Sequence, residues 1–228
     1  MYRNTFLSVM FLACCFNGSL CAQSDAQIYE RTCDAKTYPF SDPSPVATPN
    51  NSYYPYFRFD GFSMQAQEKQ WKMVVLENDY VKLTVTPEIG GKIWGAIDKV
   101  NNKEFVYTNG VVKFRDVAMR GPWTSGGIEF NFGIIGHAPT CSTPIDYLTK
   151  KNVDGSVSCH IFSYEWITRT VWNVEINLPK DKAYFTTHTT WFNQSSIDQP
   201  YYQWMNAGYA TKTGTRFYYP GTYSIGHS

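Results

Sequence analysis

The chain has 228 residues, 17% of them aromatic, and a formal net charge of +1 at pH 7. That length suits one well-packed core. The charge is nearly balanced and forms no basic block, which argues against nucleic acid, whose backbone demands clustered Lys and Arg. Aromatic and β-branched residues outweigh Leu and Ala, so strands are favoured over helices.

The N-terminus reads Met1, Tyr2, Arg3, then a mostly apolar run from Phe6 to Phe16, then small residues up to Ala22. A positive start, a short greasy middle and a small-residue cut site are the layout of a secretory signal over residues 1–22. The apolar run is too short to cross a bilayer. An exported chain, periplasmic or secreted and without a membrane span, is expected. Cys14 or Cys21 would serve a lipid-anchored form, although Leu20 before Cys21 fits a lipobox poorly. Cys33, Cys141 and Cys159 remain after the signal, an odd count that allows at most one internal disulfide. Cys141–Cys159 is the possible pair, and three buried free thiols are the alternative that the spacing favours.

Residues 23–56 hold Pro39, Pro43, Pro45, Pro49 and Pro55, and read as an extended leader laid on a domain at 57–228. A strand is expected over 57–63. Period-two alternation is clear from Val74: Val81, Leu83 and Val85 share one face and Lys82, Thr84 and Thr86 the other. Pro87 to Gly91 reads as a turn before a strand over 92–98. Asn109-Gly110 signals a hairpin into 111–114, and Asp154-Gly155 another into 156–167. Strands are expected over 170–178, 183–193 and 201–209, with one more beginning at 216–219. Many short strands between turn residues indicate an antiparallel sandwich or barrel. Residues 115–146 break the pattern with Gly and Pro, yet are too apolar for disorder. They read as an ordered loop with one short strand, folded over the sheet.

Chemistry concentrates in that loop. Gly126-Gly127-Ile128-Glu129 places one carboxylate in an apolar stretch. Buried without a cation, Glu129 would have a raised pKa suited to general acid or base work. Paired with Arg115 or Arg120, it would be structural. His137 follows in a Gly/Pro loop, and His188 shares a strand face with Tyr184, Thr186, Thr190 and Phe192. His160 reads as structural, and His227 reaches a site only if the chain end folds back. A second carboxylate to partner Glu129 would be Glu165, Glu175 or Asp146. There is no HxxxH, CxxC or Asp-rich loop, so no metal or cofactor is expected. A GxSxG elbow and a phosphate cradle are equally missing from the sequence.

The run LENDYVKLTVTPEIGGKIWGAIDKVNNKEFVY, residues 76–107, resembles the opening of galactose-mutarotase-like domains. The blocks RGPWTSGGIEFNFGIIGHAPT (120–140), QPYYQWMNAG (199–208) and FYYPGTYSIGH (217–227) resemble, more specifically, the bacterial domain of unknown function 5107 family. This implies an all-β fold, an antiparallel β-supersandwich, with a concave sheet that faces carbohydrate. Aldose epimerases of that kind use a His as acid and a C-terminal-side Glu as base, and no residue here matches that Glu. The expected acid/base groups are Glu129 and His137. Trp123, Tyr202 and Trp204 are expected to hold sugar, with Arg120, Asn131, His188, Asn206 and His227 as polar contacts. The same residues suit glycan processing or a non-catalytic carbohydrate-binding module, and an interaction scaffold is the third reading. Family domains continue past the Ile225-Gly226-His227 block, so the chain is expected to be part of a longer one.

Overall fold

In a computed structural model, the described residues are 24–40, 61–116, 122–211 and 213–223. The signal at 1–22, half of the Pro-rich stretch, residues 57–60 of the strand expected at 57–63, Arg120 and His227 lie outside them. The regular structure of the described residues is almost entirely strand, with two short 3-10 turns. In chain order the strands are β1 (Gln27–Tyr38), β2 (Gln67–Glu77), β3 (Val81–Thr86), β4 (Lys92–Asp98), β5 (Lys103–Val106), β6 (Val112–Lys113) and β7 (Arg115–Asp116). They continue as β8 (Pro122–Trp123), β9 (Ile128–Phe132), β10 (Asp146–Lys151), β11 (Val157–Glu165), β12 (Thr170–Leu178), β13 (Thr186–Asn193) and β14 (Gln203–Ala207).

Eight strands form one sheet in the order β14-β9-β4-β3-β2-β1-β6, with β5 also on β4. A second sheet runs β10-β11-β12-β13, and β7 pairs with β8. Alternation explains how the two larger sheets meet. Val81, Leu83 and Val85 of β3 point the same way as Ile128, Phe130 and Phe132 of β9. They bury against Val157, Cys159 and Ile161 of β11 and Trp172, Val174, Ile176 and Leu178 of β12. At the centre Phe132 stacks on Trp172, with ring centroids 4.6 Å apart. This is an all-β sandwich. Truncating a fully buried ring such as Trp172 to Ala is expected to cost roughly 3–5 kcal/mol.

The outer face of the eight-stranded sheet is apolar too. Trp71, Met73, Ile89, Trp94, Val112 and Phe114 form a second cluster there. Described segments packed on that outer side include 122–125, where Thr124 accepts from Lys92, and 137–141, where Ala138 N donates to Asn131. Asn78, the asparagine of the LEN motif, ties the sandwich together. Its Oδ1 accepts from the amides of Tyr80 and Val81, and its Nδ2 donates to the carbonyls of Pro179 and Lys182.

Three expectations are corrected. Residues 27–38 of the supposed leader are a strand, paired with β2 over eleven residues. Its alternation is hidden because Ile28 packs into the inner core while Cys33 and Ala35 pack on the outer cluster. Asn109-Gly110 is no hairpin turn: neither residue adopts positive φ, and β6 runs parallel to β1 instead of returning along β5. No strand occupies 216–219, where the chain is irregular and its aromatic rings are exposed. The expected loop strand is β9, a fully buried member of the main sheet. The three described cysteines are free.

Candidate functional site

Glu129 and Asn131 occupy the positions of β9 that alternate with the core residues, so both face the outer side of the sheet. Both are buried, Glu129 to 2% exposure. The backbone before them is shaped by glycine. Gly126 and Gly127 have φ of +74° and +65°, and a Cβ on Gly127 would lie 2.3 Å from the Ile93 carbonyl oxygen. That close approach lets Gly127 N donate to Tyr107 O and accept, through its carbonyl, from Gly208 N, each at 2.8 Å. Beside this crossing lies a cavity of about 200 Å³, lined by Trp123, Gly126, Gly127, Glu129, Asn206, Ala207 and Gly208.

His137 closes on the carboxylate from the following loop. Its Nδ1 lies 2.6 Å from Glu129 Oε1. The contact is short but poorly directed, since Nδ1 makes no aligned hydrogen bond. His137 has φ of +53°, a conformation uncommon for a residue with a side chain. Asn131 holds it there: Nδ2 donates to Glu129 Oε1 at 3.1 Å, and Oδ1 accepts from Ala138 N at 2.9 Å. The His137 ring sits edge-on between two indoles, 4.8 Å from Trp204 and 5.8 Å from Trp123. Trp204 can come this close because position 136 is glycine. A Cβ there would lie 1.8 Å from the indole and 2.8 Å from the Tyr202 hydroxyl.

Lys92, which no sequence motif singled out, completes the site. It is only 1% exposed, and its ammonium donates to the Thr124 carbonyl at 2.5 Å and the Thr124 hydroxyl at 3.1 Å. Desolvation lowers its pKa, and the nearby Glu129 charge opposes that. The signal for it was a lone cation at the head of the apolar run Ile93 to Ile97.

These partners change the expected electrostatics of Glu129. Burial alone would raise its pKa. The His137 contact, the Lys92 charge and the Asn131 amide together outweigh burial and hold it below the ordinary 4.5. So Glu129 is a carboxylate kept ionised, not a neutral acid. Arg115, the expected structural partner, turns elsewhere and donates to the carbonyls of Ser63 and Phe114.

Two polar atoms at the cavity have no hydrogen-bond partner among the described residues. One is the acceptor Glu129 Oε2 and the other the donor Trp123 Nε1, both fully buried. Buried polar groups are rarely left so, and two at one cavity mark a place built for something else.

Of the expected site residues, Glu129, His137, Trp123, Tyr202, Trp204 and Asn206 are brought together. Asn206 stands directly across from Glu129 in the β14–β9 pairing. Asn131 is present but fully buried, with both ends of its amide engaged, so it positions rather than contacts. His188 is elsewhere. It stands opposite Glu175 on the outward face of the four-stranded sheet, alongside His160. Asp146, Glu165 and Glu175 belong to that same sheet and do not join the cavity.

The fold is shared with a solved structure, a TPR-domain containing protein from Parabacteroides distasonis ATCC 8503. The likeness has a TM-score of 0.73 and 26% identity over 81% of this chain. It covers 32% of that chain, so this one spans about a third of its neighbour's length. Residues 48–228, which include every side chain of the cavity just described, match the family described as Domain of unknown function (DUF5107), and the chain belongs to that family.

Proposed function

We propose that this is an exported carbohydrate-handling protein whose cavity takes a sugar unit beside the Glu129–His137 pair. The observation that carries the reading is the buried unpartnered pair, Trp123 Nε1 and Glu129 Oε2, lining one small cavity. A hydroxyl both donates and accepts, so sugar hydroxyls satisfy the carboxylate and the indole together. The indole of Trp123 lines the cavity and offers an apolar wall to a pyranose, and Trp204 packs against the His137 ring. Glu129 suits a base because it is kept ionised. His137 at 2.6 Å can receive or return a proton, and such contacts tighten when substrate binds. Two-carboxylate glycoside hydrolysis is less favoured, because Glu129 is the single carboxylate among the described residues that line the cavity. Export rests on the layout of residues 1–22, and the choice of carbohydrate rests also on the resemblance of residues 76–107 to galactose-mutarotase-like domains.

The test is a panel of mono- and oligosaccharides, read by binding and by product formation. The wild-type protein should bind a member of the panel, and Glu129→Gln should lose that binding or its turnover by about 100-fold or more while staying folded. Binding without product assigns a carbohydrate-binding module at the same site. A Glu129→Gln protein that binds and turns over as well as wild type ends the proposed role.

A further inference from the structure

The cavity beside Glu129 is small. Small-molecule sites usually occupy ~300–1,000 Å³, whereas this one holds about 200 Å³, room for part of a ligand. A second cavity of about 340 Å³ lies on the same outer face of the eight-stranded sheet. Its floor is Met73, Trp94 and Val112 of the outer cluster, and Arg31, Thr84 and Glu104 stand around it. A β-bulge between β3 and β4 falls beneath this floor, a device that opens a sheet face next to binding sites.

The two cavities are one chain thickness apart. Asn109 lines the larger and Gly126 the smaller. Asn109 Nδ2 donates to Ser125 Oγ at 2.6 Å, and a Cβ on Gly126 would lie 3.3 Å from Asn109 N. The wall between them is therefore the pair of segments 107–109 and 125–126.

Building on the carbohydrate reading above, we infer that the ligand is an extended glycan rather than a free monosaccharide. One terminal unit enters the Glu129 cavity. The following units pass over the Asn109–Ser125 wall and lie in the larger groove across β1 to β4. The mixed charge and apolar floor of the groove suit sugar rings, with Arg31, Thr84 and Glu104 meeting hydroxyls.

The test is chain length. β-1,4-linked gluco-, manno- and galacto-oligosaccharides of one to four units are titrated by calorimetry. Affinity should rise at least ten-fold from one unit to four in the series that binds. Gly110 lines the groove, is exposed, lacks positive φ and has open space where a Cβ would go. Gly110→Trp should therefore fold normally, erase the gain with length and leave the single unit unaffected. Arg31→Ala with Glu104→Ala, at two exposed positions, should reduce the same gain. Glu129→Gln should weaken every length. Equal affinity at all lengths, or a gain that survives both groove variants, overturns the extended-ligand inference and leaves the carbohydrate reading standing. Failure of every sugar at every length overturns both.

Discussion

Two buried glutamates, Glu129 and Glu165, show how alike residues come to differ in purpose. They are 2% and 3% exposed. Glu165 closes the β11–β12 turn, where its oxygens accept from Ile167 N at 3.2 Å and from Thr168 N and Oγ1 at 2.5 Å each. Both its oxygens are used, and the result is a rigid turn. Glu129 spends one oxygen on His137 and Asn131 and leaves the other without a partner at a cavity wall. Burial alone therefore does not mark function. On the function proposed above, a buried carboxylate with spare accepting capacity next to open volume is the feature that invites a donor.

The contrast can be broken most directly by paired truncation. Glu165→Ala strands the donors of its turn and should lose roughly 2–4 kcal/mol in urea unfolding. It should leave sugar affinity unchanged. Glu129→Ala should cost about 1 kcal/mol, since a charge with one unmet oxygen is removed, and should abolish the sugar response. The reverse pattern would show that Glu129 is the structural member of the two.

A smaller effect concerns acid. The folded pKa of Glu129 lies below 4.5, so its contribution to stability is complete above that pH and is lost as pH falls through the folded value. Glu129→Gln should accordingly show a shallower fall in urea midpoint below pH 4.5 than wild type. Equal slopes would mean that His137 and Lys92 do not hold the carboxylate ionised.

The smallest expected effect tests the packing around the site. Cys141 is buried beside the cavity residues and burial pushes its thiol up, while that of Cys159 is raised to about 12. Cys33 is only partly buried. A thiol reagent on the native protein should modify Cys33 first, with Cys141 and Cys159 reacting only on unfolding. Early labelling of Cys141 would show that the loop over the site opens readily.

Much of the fold was legible in the sequence. The strands over 81–86 and 170–178 bury one face against the same core, so alternation displayed them, whereas 92–98 is buried on both faces and reads as a short apolar run after the Gly90-Gly91 turn. β1 was not legible, because its two ends bury opposite faces and it shows no single period. The Asn109-Gly110 signal misled, because the next segment pairs in parallel with β1 instead of returning along β5.

At the site, the sequence by itself determined that Glu129 sits in an apolar, glycine-led stretch and that His137 lies in a nearby loop. Local chemistry is enough for that, since glycine spacing and hydrophobicity are properties of neighbouring residues. Only the tertiary structure decided which charges meet. Pairing of β9 with β4 and β14 brought Lys92 and Asn206 to Glu129, and packing of the second sheet carried His188 to the opposite surface. The sign of the Glu129 pKa shift followed from those meetings rather than from burial. Such contacts join residues dozens of positions apart, and no local pattern records them.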